Sequence, residues 1–137
     1  MEIVRFTYKG KVRGQGRPRF RRNGAAYETK EDRNYKLALR AAYLAQTNGA
    51  TFRDRPVAVY IDVYRALPKS RPKRVEFEPD TMKPDGDNIA KAVLDALNGL
   101  AFNDDAQVVA LRVTKHNRIR RTADFLTVTI KDRTKEH

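Results

Sequence analysis

The spacing of apolar residues along this 137-residue chain changes period several times, and each change marks an element. Residues 2–8 (EIVRFTY) alternate apolar and polar, as a half-buried strand does. Over 30–47 the apolar positions 35, 37, 39, 41, 42, 44 and 45 predict a helix. Thr29 precedes it as N-cap, Asp32 favours the dipole at its start, and Asn48-Gly49 stops it. Residues 56–67 (PVAVYIDVYRAL) are rich in β-branched and aromatic side chains and predict a strand. A second helix is expected over 88–98. Its apolar positions 89, 93, 96, 97 and 100 keep the helical period, and Asn98-Gly99 ends it. Two strands follow, 106–116 (AQVVALRVTKH) and 124–131 (DFLTVTIK), with 117–122 as the turn between them.

Two stretches break the pattern. Residues 9–22 carry seven basic residues, three glycines and no acid, and read as the body of a basic loop or irregular hairpin over 9–24. Residues 68–84 are too polar for a core and read as a mobile, flexible loop with a short strand at VEF. The elements add up to an α/β (α+β) fold, a single domain over 1–137 with a mixed β-sheet and two main helices.

Charge narrows the partners. Lys and Arg number 29 against 17 Asp and Glu, a formal net charge of +12, so a polyanion is the expected partner and nucleic acid the first choice. No apolar run reaches the roughly 18 residues of a spanning helix, and no signal or lipidation pattern is present, so no membrane partner is expected. Cysteine is absent and histidine occurs twice, which excludes disulfides and thiolate or His-rich zinc sites. The absence of Cys fits a cytoplasmic location.

Against this background the acids of KPDGDNIAK, 83–91, stand out. Asp85 and Asp87 sit two apart, and Asp95, Asp104 and Asp105 follow. On a helix, residues two apart point about 200° apart. On extended chain they point to the same side, and Lys83-Pro84 biases the approach to extended backbone. Asp85 and Asp87 then converge just before the helix, with Lys91 one turn along. Asp104 and Asp105 open the next strand, and a helix-to-strand return can bring them back toward that helix. Such a set of oxygens suits Mg²⁺. Two readings stay open on spacing alone. Asp87 is an N-cap, Lys91 an ion-pair partner and Asp104-Asp105 a turn, or the group holds a metal ion. Gly86 is misplaced for a calcium-binding EF-hand loop.

Residues 83–115 resemble the RusA family of Holliday junction resolvases. The resemblance is carried by Pro84-Asp85-Gly86-Asp87-Asn88, Lys91, Asp95-Ala96-Leu97 and Asp104-Asp105-Ala106-Gln107-Val108, with a weaker likeness in Gly16 to Phe20 and Tyr27. Gly86 departs from the apolar residue many members carry there. The resemblance implies a homodimeric, Mg²⁺-dependent endodeoxyribonuclease, with Mn²⁺ as a substitute, acting on branched DNA such as a four-way junction in recombination and repair. It implies a bacterial or phage protein. It assigns Asp85, Asp87 and Asp105 as catalytic metal-binding acids, Lys91 as the catalytic lysine, and Asp104 as an adjacent, ambiguous metal ligand.

The DNA-binding candidates are Arg13, Arg17, Arg19, Arg21 and Arg22, then Lys69, Arg71, Lys73, Arg74 and Lys83, with Arg118, Arg120 and Arg121 as a third group. Phe20 reads either as a side chain that stacks on a base or as a core or dimer contact. A non-catalytic nucleic-acid-binding protein and a nuclease for other branched DNA are the competing functions.

Overall fold

A computed structural model describes residues 3–16, 19–121 and 123–135. In chain order the elements are β1 (Ile3–Lys9), β2 (Arg19–Phe20), β3 (Ala26–Tyr27), α1 (Lys30–Thr47), β4 (Val57–Tyr64), β5 (Phe77–Glu78), α2 (Gly86–Leu97), a 3₁₀ turn (Asp105–Gln107), β6 (Val108–Lys115), β7 (Arg118–Ile119) and β8 (Phe125–Asp132). The four long strands form one mixed sheet in the order β1-β8-β4-β6. The β1–β8 and β8–β4 pairs are antiparallel, and β4–β6 is parallel. A parallel pair needs a long crossover, which α2 and the residues before it supply. The α+β class with two main helices on a mixed sheet matches the sequence expectation.

Both helices pack on one face of the sheet. Alternate residues Val57, Val59, Ile61 and Val63 of β4 are buried there, as are Leu126, Val128 and Ile130 of β8. Helix α1 adds Tyr35, Leu39 and Tyr43, spaced four apart on one stripe, while Leu37 and Leu44 point outward. Full burial of a side chain such as Leu39 is worth about 1.5–3 kcal/mol. The Thr29 hydroxyl accepts from the Asp32 N–H at 3.1 Å, and Asn48 closes α1 in the left-handed conformation, both as expected.

Three expectations need correction. Helix α2 begins at Gly86, two residues early, so Asp85 is its N-cap and Asp87 lies in its first turn, not on the extended approach from which the two were expected to converge. Both acids suit a helix start, and the sequence does not choose between them. Second, β6 and β8 are not neighbours. The most apolar strand, β4, takes the centre; β8, with its strict alternation, fills one side, and β6, with Val109 and Leu111 exposed, forms an edge. Third, 117–121, the part of the expected turn 117–122 that lies within the described residues, is not a hairpin turn. It contains β7, which pairs with β5 inside the 68–84 stretch. That stretch is anchored further by Arg71 on Glu78 at 2.9 Å and by Arg120 on the Pro72 carbonyl at 2.7 Å.

Candidate active site

Helix α2 organises the site. Its buried side, including Ile89, Val93, Ala96 and Leu97, locks it onto the core. Asp85, Asp87 and Lys91 therefore face outward and are exposed. Among the described residues, none of these three takes part in an ion pair or a side-chain hydrogen bond. Asp85 caps α2 with its backbone carbonyl, which accepts from the Ile89 N–H at 3.0 Å, and its carboxylate makes no cap bond. The bland reading of these residues fails on this point: Lys91 pairs with neither Asp87 nor Asp95. Asp95 is instead held by Lys36 at 3.4 Å.

Asp104 and Asp105 lie elsewhere. Asp104 caps the 3₁₀ turn: its carboxylate accepts from the Ala106 N–H at 3.1 Å, and the Gln107 side chain accepts from the Asp104 N–H at 2.8 Å. Gln107 then donates to the carbonyls of Arg53 and Arg55, fixing the turn to the loop before β4. Asp105 projects from this turn. Its hydrogen bond with Asp104, its desolvation and the charges of Asp104 and Asp95 hold its carboxyl above the usual carboxylate range.

The two groups of acids do not meet within one chain. A Cβ on Gly86 would lie 3.7 Å from Val113, near the far end of β6. Asp105 precedes the first residue of that strand. The five residues from Val108 to Val113 span roughly 17 Å. Asp95, the acid near Asp105, is eight residues along α2 from Asp87, about 12 Å. Among the described residues no three acids or histidines stand close enough to share a metal ion. The expected return of Asp104 and Asp105 to the helix does occur, but at its C-terminal half, because α2 runs antiparallel to β6. The donors are all carboxylates, which suits a hard cation such as Mg²⁺, but each group alone is an incomplete set.

A basic groove borders Asp85. It is lined by Lys11, Arg13, Lys83 and Arg118 together with Pro84 and Asn88. Gly14 lets the basic loop approach this closely: a Cβ there would lie 2.9 Å from the Pro84 side chain and 3.0 Å from that of Asn88. The Gln15 N–H donates to the Asn88 carbonyl at 3.0 Å and fixes the contact. Of the predicted DNA contacts, Arg13 faces the groove but also pairs with Asp32 at 3.4 Å. Arg19, Arg21 and Arg22 are exposed on and around the β2–β3 hairpin, with Arg21 over the Tyr27 ring. Phe20 is exposed there too, which removes its core reading. Lys69, Lys73 and Arg74 are exposed, and Arg71 is engaged by Glu78. Arg17 lies outside the described residues. Arg120 is tied to the Pro72 carbonyl, and Arg121 lies over the Tyr64 and Phe125 rings.

Sequence reasoning missed Lys11, Arg65, Asp80 and Lys115. Arg65 and Asp80 are both buried and paired at 2.6 Å. One signal existed: an arginine inside the apolar run VYRAL is rarely buried without a carboxylate.

The chain is similar to known proteins over most of its length. The family described as endodeoxyribonuclease RusA matches residues 9–131. The Bacillus subtilis (strain 168) protein YqaN, described as uncharacterized, is 38% identical over 126 residues, covering 84% of this chain and 88% of the relative.

Proposed function

We propose that this chain, which belongs to the RusA endodeoxyribonuclease family, is a Mg²⁺-dependent enzyme that resolves four-way DNA junctions by paired nicks, acting as a homodimer in recombination and repair. One observation carries the reading. In a protein with 29 basic residues, two carboxylates and an ammonium stand exposed at one helix end with no partner of their own among the described residues. Surface acids in such a surround are expected to pair, and carboxylates left without a protein partner are open to a bound cation.

Asp85, Asp87, Asp104 and Asp105 are the proposed holders of Mg²⁺ or Mn²⁺. The ion would activate a water and stabilise charge on the phosphate. Lys91, one turn from Asp87, places a fixed positive charge where the phosphate oxygens or the leaving oxygen gather electron density. The groove of Lys11, Arg13, Lys83 and Arg118 guides the DNA backbone to Asp85. A four-way junction has approximate two-fold symmetry, and so does a homodimer, which offers one site to each of two opposed strands. Because the two acid groups are separated within one chain, a second copy is the natural source of the ligands that each half lacks.

The experiment is cleavage of a synthetic four-way junction with and without Mg²⁺. Wild-type protein should make paired nicks, and Asp87→Asn should bind the junction but cut it at least about 100-fold more slowly. Junction binding without cutting in either Mg²⁺ or Mn²⁺ would return the chain to the non-catalytic binders. Cutting of flaps in preference to junctions would move it to other branched DNA.

A further inference from the structure

We infer that Arg65, assisted by Lys115, is a positioning residue for the carboxylates at the start of α2. The inference rests on the nuclease reading above. Arg65 lines the basic groove beside Asp85, but its guanidinium is nearly buried and is spent on the chain leading into α2.

Residues 80–84 form an irregular strap between β5 and α2, and the strap decides where Asp85 and Asp87 stand. It has no ladder or helix of its own to hold it. Arg65, one residue past β4, holds it instead. Its Nε and one terminal nitrogen donate to the two oxygens of Asp80 at 2.8 and 2.6 Å. The same guanidinium donates to the carbonyl of Met82 at 2.9 Å and to that of Lys83 at 3.0 Å. Lys115, the last residue of β6, donates to the carbonyls of Met82 at 2.6 Å and Pro84 at 3.1 Å. Three consecutive carbonyls are thus bound by cations rooted at the ends of the two parallel strands. Ligand sites in open α/β sheets favour this end of parallel strands.

Stability alone does not call for this arrangement. A buried ion pair is often no more stabilising than apolar side chains of the same volume. What apolar side chains cannot do is bind three carbonyls in fixed directions. Asp80 has no exposed side-chain surface, and Lys115 and Arg118 stand 3.9 Å from it, so three cations share one buried carboxylate. The cations outnumber that carboxylate, so the charge held behind the strap is positive, beside the acids at the start of α2.

The test uses two variants of the full chain. Arg65→Met/Asp80→Leu replaces the buried pair with apolar side chains, while Lys115 and Arg118, which also face Asp80, keep the carbonyls of Met82, Pro84 and Ala66 as partners. Lys115→Met removes only the second clamp. For the double variant, the single-turnover rate of junction cutting should fall about 100-fold, as expected when a reacting geometry shifts by about 1 Å. The Mg²⁺ concentration for half-maximal rate should rise about tenfold, with junction affinity in Ca²⁺ within twofold of wild type. Mn²⁺ binding, followed by electron paramagnetic resonance without DNA, should weaken by a similar factor. Lys115→Met should move the same quantities in the same direction by less, and it decides the matter alone if the double variant does not fold. Wild-type metal affinity and rate in the folded variants would overturn the positioning role and leave the nuclease reading intact. A wild-type protein that cuts no branched DNA would overturn both.

Discussion

Asp105 and Lys91 show how much a single residue's surroundings reveal. The Asp105 carboxyl is held above its ordinary range by its hydrogen bond with Asp104, by desolvation and by the charges of Asp104 and Asp95. An acid whose pKa is raised on folding weakens the fold once it ionises. The penalty grows as pH rises through the unfolded value and is complete above the folded one. Asp105→Asn should therefore melt slightly higher than wild type at pH 7 and equal to it near pH 3, while losing junction cutting. Thermal melts at the two pH values check this, and a lower melting temperature at pH 7 would contradict it. Lys91 makes no ion pair among the described residues. Lys91→Met should leave melting unchanged and slow cutting by about 100-fold or more, the usual effect of removing one group that stabilises transition-state charge. These residue types and spacings were legible in KPDGDNIAK and DDAQV. What was not legible is that Asp95 is taken by Lys36 whereas Lys91 has no ion-pair partner among the described residues, since that depends on which helix faces which.

Helices and long strands could be read from the sequence because their periods and caps are local. The Thr29 cap and the Asn48 stop of α1 fell where local chemistry puts them. The start of α2 was displaced by two residues because Asp85 and Asp87 are equally able to cap. The strap before it was read only as a polar loop, since its order comes from Arg65 and Lys115, 15 or more residues away from Asp80. That order depends on pH. Burial pushes the Asp80 carboxyl up, but the Arg65 hydrogen bonds and the charges of Arg65, Lys115 and Arg118 outweigh it and hold the pKa low. A depressed carboxyl stabilises the fold above its unfolded value, about 3.9, and this is lost as pH falls through the folded value. Hydrogen exchange at the amides of 81–88 should therefore stay slow down to about pH 4 after correction for intrinsic rates, then quicken at lower pH before global unfolding. Arg65→Met/Asp80→Leu should show no such step. A step of equal size in that variant would mean another group holds the strap.

For the whole molecule the decisive fact is a distance. Asp85 and Asp87 stand beside the far end of β6, and Asp105 before its start, so one chain presents two partial sets of ligands. No sequence pattern reports this, because it follows from the parallel pairing of β4 with β6 and the direction of α2 between them. If a homodimer completes each site with acids from both copies, loss of Asp87 in one copy and of Asp105 in the other removes ligands from the same site. The second site of that mixed dimer keeps both wild-type acids. Asp87→Asn and Asp105→Asn should each be inactive alone, yet a mixture allowed to exchange subunits should regain nicking. The product should be singly nicked junctions, since only one site is whole. With random exchange half the dimers are mixed, so the nicking rate should approach about one quarter of the wild-type total per site, a level far above the residual rate of either variant. If each chain builds its site from its own acids, every site in the mixture lacks one ligand and mixing restores nothing. A gel that separates nicked from resolved junctions distinguishes these outcomes.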